Sequence, residues 1–153
     1  FAEIAAALKG DGFEFSVIGA PVMADLQFIM PEGMTRYPLA RSPAELDAAY
    51  ARLDILLMPS RAEGLPLAIL EAQRAGVVPI VTDVGAVGEA IVHGENGWLL
   101  PPENVVPSAI DALKYMAANR DQLHRLATNW KAHDQWGENA ARLLTSLGIH
   151  PLA

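Results

Sequence analysis

Hydrophobic positions along the chain alternate between short apolar runs and longer amphipathic stretches, the pattern of strands interleaved with helices. Phe1, Ile4, Ala5 and Leu8 keep helical spacing over 1–9, and Gly10-Asp11-Gly12 ends that stretch. Phe13-Glu14-Phe15-Ser16-Val17-Ile18-Gly19 alternates and is rich in aromatic and branched residues, which predicts a strand followed by a turn at Gly19. A short helix is expected over 22–30. Tyr37-Pro38-Leu39 reads as a short strand, weakened by a proline that lacks a ladder donor. Ser42-Pro43-Ala44-Glu45 is a capping box with proline at the first helical position, and it opens a helix to about Leu53.

The strongest pattern lies over 54–97. Asp54-Ile55-Leu56-Leu57-Met58 is a strand-length apolar run. After a turn, Pro66 to Ala75 is an amphipathic helix that stops at Gly76, and Val77-Val78-Pro79-Ile80-Val81-Thr82 is a second apolar run. This is a strand-helix-strand unit. Beyond it, Gly85 to Val92 reads as a short helix, Gly94-Glu95-Asn96-Gly97 as a turn, and Trp98-Leu99-Leu100 as the last strand. Val106, Ile110, Leu113 and Met116 mark a helix over 104–117, with Pro107 tolerable in its first turn. Further helices are expected from Asp121 to about Lys131 and from Trp136 to about Leu147. The fold class that follows is α/β, a Rossmann-like parallel sheet flanked by helices.

Composition changes this picture little. The chain has 153 residues, 52% hydrophobic and 19% charged, about one globular domain with enough length for a real core. Its formal net charge of -7 opposes a nucleic-acid partner, which needs a basic face. There is no cysteine, which excludes disulfides and thiolate chemistry and allows a reducing compartment, so a cytoplasmic location is expected. No apolar run approaches the roughly 20 residues that cross a bilayer. Phe1 to Gly10 reads as the later part of a helix, so 1–153 is expected to be one domain of a longer protein.

Two acids carry the candidate chemistry. Glu63 falls in the loop after the first apolar run, and Glu71 falls about two turns into the helix, so loop and helix present both to the carboxyl end of a strand. Ligands of open α/β sheets bind there. Gly64 allows close backbone approach, and Pro66 suits the first helical turn. The amides near Leu65, Leu67 and Ala68 point outward at the positive end of the helix dipole and favour a phosphate. A phosphate flanked by two hydroxyl-binding acids describes a sugar nucleotide.

The string Pro59-Ser60, Glu63-Gly64, Pro66, Leu70-Glu71-Ala72, Gly76, Pro79, Val84-Gly85, Glu89, Gly94-Glu95-Asn96-Gly97, Leu99 and Pro101 resembles the donor-binding domain of retaining GT-B glycosyltransferases, the group 1 family. The resemblance implies that Glu71 binds the ribose hydroxyls and Glu63 the donor sugar, the latter as the residue closest to catalysis. Ser60, Gly64, Leu65 and Leu67 would complete the donor site. It also implies transfer with retention, with no metal and no cofactor, the nucleoside diphosphate sugar being the substrate. The acceptor (glycan, lipid or other glycoconjugate) would bind another domain of the parent chain, and peripheral membrane association would run through regions outside this chain. The resembled fold also opens with a strand and a glycine-rich turn bearing an arginine and a lysine for the diphosphate. This first strand is expected to be missing from 1–153, its place in the sheet lying between the strands at 13–18 and 54–58.

Each residue also has a plainer reading. Glu71 has Arg74 three residues on, a surface pairing worth little. Ser60 serves equally as a turn or capping residue, Gly64 as a turn glycine and Glu63 as an acid that suits a helix start. Glu89, at a helix start after glycine, reads as structural rather than catalytic; His93, His124, His133 and His150 show no metal-ligand spacing with acids, and Trp98, Trp130 and Trp136 sit at packing positions. Two other functions are compatible with the same residues: an inactive donor-like scaffold within a larger assembly, and a sugar-nucleotide epimerase, although no proton-abstracting pair marks the latter.

Overall fold

A computed structural model describes residues 1–19, 32–64 and 66–130. The helices expected over 22–30 and from Trp136 to Leu147, and the residue Leu65, lie outside the described residues. In chain order the elements are α1 (Ala2–Ala7), β1 (Ser16–Ile18), β2 (Thr35–Tyr37), α2 (Pro43–Tyr50), β3 (Ile55–Met58), α3 (Leu67–Arg74), β4 (Val78–Thr82), α4 (Val87–Ala90), β5 (Trp98–Leu100), α5 (Val105–Ala118) and α6 (Arg120–Asn129).

Among the described residues all strand pairing is parallel. The strands form two sheets, one pairing β1 with β2 and the other ordered β3-β4-β5. The strand-helix-strand unit read from the apolar runs is therefore β3-α3-β4, with Ile55 opposite Val78 and Met58 opposite Val81. Every residue of β4 is buried, as a strand covered on both faces requires. Pro79 is tolerated in this central strand because successive residues bond to opposite neighbours. The Val78 N–H donates to Asp54 on the β3 side at 3.0 Å, which turns Pro79 toward β5 at a level where the β5 ladder, beginning with Ile80 opposite Trp98, has not started.

Helices cover both faces of the larger sheet. On one, Val78, Ile80 and Leu100 pack with Ile4 and Leu8 of the α1 segment, Ala109, Leu113 and Met116 of α5, and Leu123 and Leu126 of α6. On the other, Val81 packs with Ile69 of α3 and with Val87 and Ile91 of the α4 segment. A third cluster joins Tyr50 at the end of α2 to Ala72 of α3 and to Val77. Thus α2 rests on α3, and this contact shapes the site described below.

Several boundaries differ from the sequence reading. The second strand is Thr35–Tyr37 rather than 37–39, because Pro38 has no N–H to donate and Leu39 stays 64% exposed. α2 ends at Tyr50, and the capping box is redistributed. Ser42 Oγ accepts from the Glu45 N–H at 3.3 Å, but the Glu45 carboxylate takes the N–H of Arg41 at 2.7 Å. α4 keeps only four residues. The fourth boundary concerns α3: Pro66 is its N-cap residue, with extended backbone (φ -72°, ψ 123°), and the helix begins at Leu67. Glu71 is therefore one turn into the helix, not two.

A cleft of about 2050 Å³ separates the two sheets, lined by β1 residues Val17 and Ile18, by Ile55 and Leu57 of β3, and by Tyr50, Ser60 and Glu71. Among the described residues, neither β1 nor β3 has a ladder on its cleft side. None of the described helices is long and apolar enough to cross a membrane.

Candidate functional site

The site grows out of the carboxyl end of β3. Pro59 and Ser60 leave the strand half-buried and line the cleft. The chain then turns through Arg61 to Gly64, and this loop is held from the side by the turn that follows β4. The N–H of Ala86 donates to the Gly64 carbonyl at 3.2 Å. Gly85, with φ +60°, lies so close that an added Cβ would sit 1.9 Å from the Glu63 carbonyl oxygen and 2.9 Å from its carbon. Only glycine fits this contact. Gly64 differs: its added Cβ would meet nothing within 4 Å, so its place is open on the outside.

α3 starts bare. Its N-cap proline offers no side-chain acceptor, and the Ile69 N–H folds back to the Pro66 carbonyl at 3.1 Å. Among the described residues, no carbonyl accepts from the N–H groups of Leu67 and Ala68. Leu67 is 67% exposed, so this helix end faces outward. Donors without a partner among the described residues coincide there with the positive end of the dipole, which is the arrangement that holds an anion. The reading of Ser60 as a helix cap finds no support, because the cap position is Pro66 and Ser60 faces the cleft.

Glu71 is half-buried on the cleft side of α3. The Tyr50 hydroxyl donates to its Oε2 at 3.1 Å and approaches the Ala68 carbonyl at 3.3 Å. Burial, then the charge of Glu71 and the hydrogen bond to it, push the Tyr50 phenol well above its ordinary pKa. Tyr50 therefore remains a donor at neutral pH. Glu71 makes no ion pair with Arg74 among the described residues, so the plain surface pairing does not form. Arg36, Arg41 and Arg74 also line the cleft. Two other cleft arginines are engaged, Arg120 with Asp54 at 3.3 Å and Arg52 over the Tyr37 ring at 5.5 Å. A chain of net charge -7 thus carries local cations in the cleft that Glu71 lines.

The residues picked out from the sequence fall into two neighbouring groups. Ser60 and Glu71 share the cleft; Glu63 and Gly64 belong to the loop braced by Gly85 and do not line it. The α3 amides at Leu67 and Ala68 follow that loop directly. Tyr50 and Gly85 were not foreseen in these roles. A phenol 21 residues before its carboxylate partner leaves no local signal; in the sequence, Gly85 stands out only as part of the string that carries the resemblance. His93 is structural, its Nδ1 accepting from the Leu99 N–H at 3.0 Å while its ring lies 4.4 Å from that of Trp98. No group of three His, Asp or Glu with metal-site geometry occurs among the described residues.

A parallel sheet covered on both faces, with Glu71 and a helix N-terminus at the carboxyl end of a strand, is the arrangement in which open α/β domains place their ligand sites. Residues 26–141 match the family model of the glycosyl transferases group 1, and the chain belongs to that family. It is 33% identical over 119 residues to D-inositol 3-phosphate glycosyltransferase of Pseudarthrobacter chlorophenolicus, covering 76% of this chain and 28% of that protein. The chain thus spans little more than a quarter of that relative's length. The C-terminal domain of a glycosyl transferase group 1 family protein (LpcC) from Francisella tularensis superposes with a TM-score of 0.72 at 25% identity, over 99% of this chain and 78% of that one. HepE from Anabaena, solved in complex with UDP-glucose, shares the fold with a TM-score of 0.62 at 20% identity, over 75% of this chain and 33% of HepE. The GT-B-type half expected from the sequence is the fold found.

Proposed function

We propose that this chain is the donor-binding domain of a retaining, metal-independent glycosyltransferase that moves a sugar from a nucleoside diphosphate sugar to a glycan, lipid or other glycoconjugate. The observation that carries this reading is Glu71, half-buried, hydrogen-bonded and turned into a cleft, one turn behind a helix end whose first amides have no partner among the described residues. In this reading Glu71 accepts from the ribose hydroxyls, and the Leu67 and Ala68 amides take a diphosphate oxygen. Glu63 and Gly64, on the braced loop, meet the donor sugar, with Ser60 on the cleft side; Leu65 is assigned to the same site from its place in the sequence. Negative charge grows on the leaving diphosphate as the anomeric bond breaks. Prepositioned amides and the cleft arginines stabilise that charge without a metal. Glu63 positions the sugar rather than attacking it. The acceptor binds another domain of the parent protein, and the work is cytoplasmic, in polysaccharide or related glycoconjugate assembly.

HepE's complex with UDP-glucose supports a nucleotide sugar as the ligand class, through likeness of fold. The test uses the full-length parent with a panel of nucleoside diphosphate sugars, an acceptor extract and EDTA, following release of the diphosphate and the anomeric configuration of the product by NMR. Acceptor-dependent transfer with retention in EDTA is expected. Consumption of no sugar nucleotide would leave an inactive donor-like scaffold, and conversion without acceptor would indicate an epimerase.

A further inference from the structure

The α2–α3 contact places a phenol on the acid that the proposed function depends on. Tyr50 is the last residue of α2 and is only 6% exposed, with its ring packed against Ala72 and Val77. The ring has little freedom, so its hydroxyl is a fixed point. That hydroxyl has one proton and two acceptors within reach, Glu71 Oε2 at 3.1 Å and the Ala68 carbonyl at 3.3 Å. The charged acceptor is the nearer and the stronger. A glutamate side chain turns about three bonds, and a ligand that bound it free would have to order all three. Here Oε2 is already tied down, while Oε1 has no partner among the described residues and, with the second lone pair of Oε2, can accept from a ligand in the cleft.

We infer that Tyr50 is a positioning residue for Glu71, holding its carboxylate in the orientation that accepts from the vicinal hydroxyls of the nucleotide ribose. The inference rests on the reading of Glu71 as a ribose-binding group. Tyr50 lines the same cleft, and its proposed action runs through the carboxylate. The raised pKa of the phenol keeps its proton in place throughout the neutral range. The predicted consequence is selective: Tyr50 adds affinity only for ligands that present hydroxyls to Glu71.

The test compares a ribonucleoside diphosphate with its 2′,3′-dideoxy counterpart by calorimetry, in the full-length protein and in Tyr50→Phe, Glu71→Ala and the double variant. Tyr50→Phe keeps the buried ring and so keeps the packing. It should raise the Kd of the ribonucleotide roughly three- to tenfold, the effect of one lost hydrogen bond, and leave the dideoxy ligand nearly unchanged. In the Glu71→Ala background, Tyr50→Phe should add nothing. Equal weakening of both ligands by Tyr50→Phe, or an additive double variant, would show that Tyr50 only packs, and would overturn the inference while Glu71 kept its role. If Glu71→Ala weakens neither ligand, the ribose reading fails and the positioning role fails with it.

Discussion

Replacing Gly85 by alanine separates two effects that the structure allows to be weighed. The first is conformational: φ is +60°, and a side chain in that region costs about 1–2 kcal/mol. The second is steric. The new Cβ would lie 1.9 Å from the carbonyl oxygen of Glu63, a backbone atom that no rotamer change can remove. The loop carrying Glu63 must move, losing the Ala86 N–H bond to Gly64, worth about 1 kcal/mol, with a further 1–3 kcal/mol of packing strain. Gly94 is the control. Its φ is +78° but an added Cβ meets nothing within 4 Å, so Gly94→Ala carries the first effect alone. Gly85→Ala should therefore exceed Gly94→Ala by about 3 kcal/mol, lowering the thermal midpoint of this domain in the full-length protein by roughly 6–12 °C more. Donor-sugar affinity should fall with Gly85→Ala and not with Gly94→Ala. Equal midpoints for the two variants would refute the idea that the turn after β4 braces the Glu63 loop.

Asn96→Ala removes a buried side chain that accepts from the Val92 N–H at 2.7 Å and donates to the Ala90 carbonyl at 3.0 Å, and should cost about 2–3 kcal/mol in a denaturant titration. Ile80→Ala empties a fully buried position in the main core and should cost about 2–5 kcal/mol by the same measurement, against about 1 for Ile80→Val. The raised pKa of Tyr50 gives a pH signature whose sign is fixed. The folded state holds the phenolic proton more tightly than the unfolded state, so this stabilisation is complete below the ordinary value of 10.0 and is lost as pH climbs beyond it. Melting curves from pH 8 to 11 should show the wild type losing stability more steeply than Tyr50→Phe above pH 10.

The elements that the sequence exposed most clearly are those whose side chains alone decide their environment. β4 is an uninterrupted apolar run because both of its faces are covered, and α5 shows its period because one face packs on that strand. Periodicity was a weaker guide where a single residue tips the balance. Pro38 moved β2 two residues earlier, and Pro66 stands outside α3 because its extended ψ of 123° suits an N-cap better than a helical turn. At the site, the acids and the glycine turn could be read because they cluster within one unit of the chain. Tyr50 and the brace at Gly85 could not, since both act on partners about 21 residues away through contacts created only when α2 meets α3 and the β4 turn meets the β3 loop. The split between the two sheets agrees with the resemblance, which implied a strand between 13–18 and 54–58; hydropathy shows no such division.

The ligand itself gives the decisive result. Calorimetric titration of UDP, GDP and ADP into the full-length protein, Glu71→Ala and Glu89→Ala should find one diphosphate that binds the wild type, with Kd raised roughly tenfold or more by Glu71→Ala and held within about twofold by the exposed control Glu89→Ala. A nucleotide that binds Glu71→Ala as tightly as the wild type would contradict the assignment of this carboxylate to the donor site.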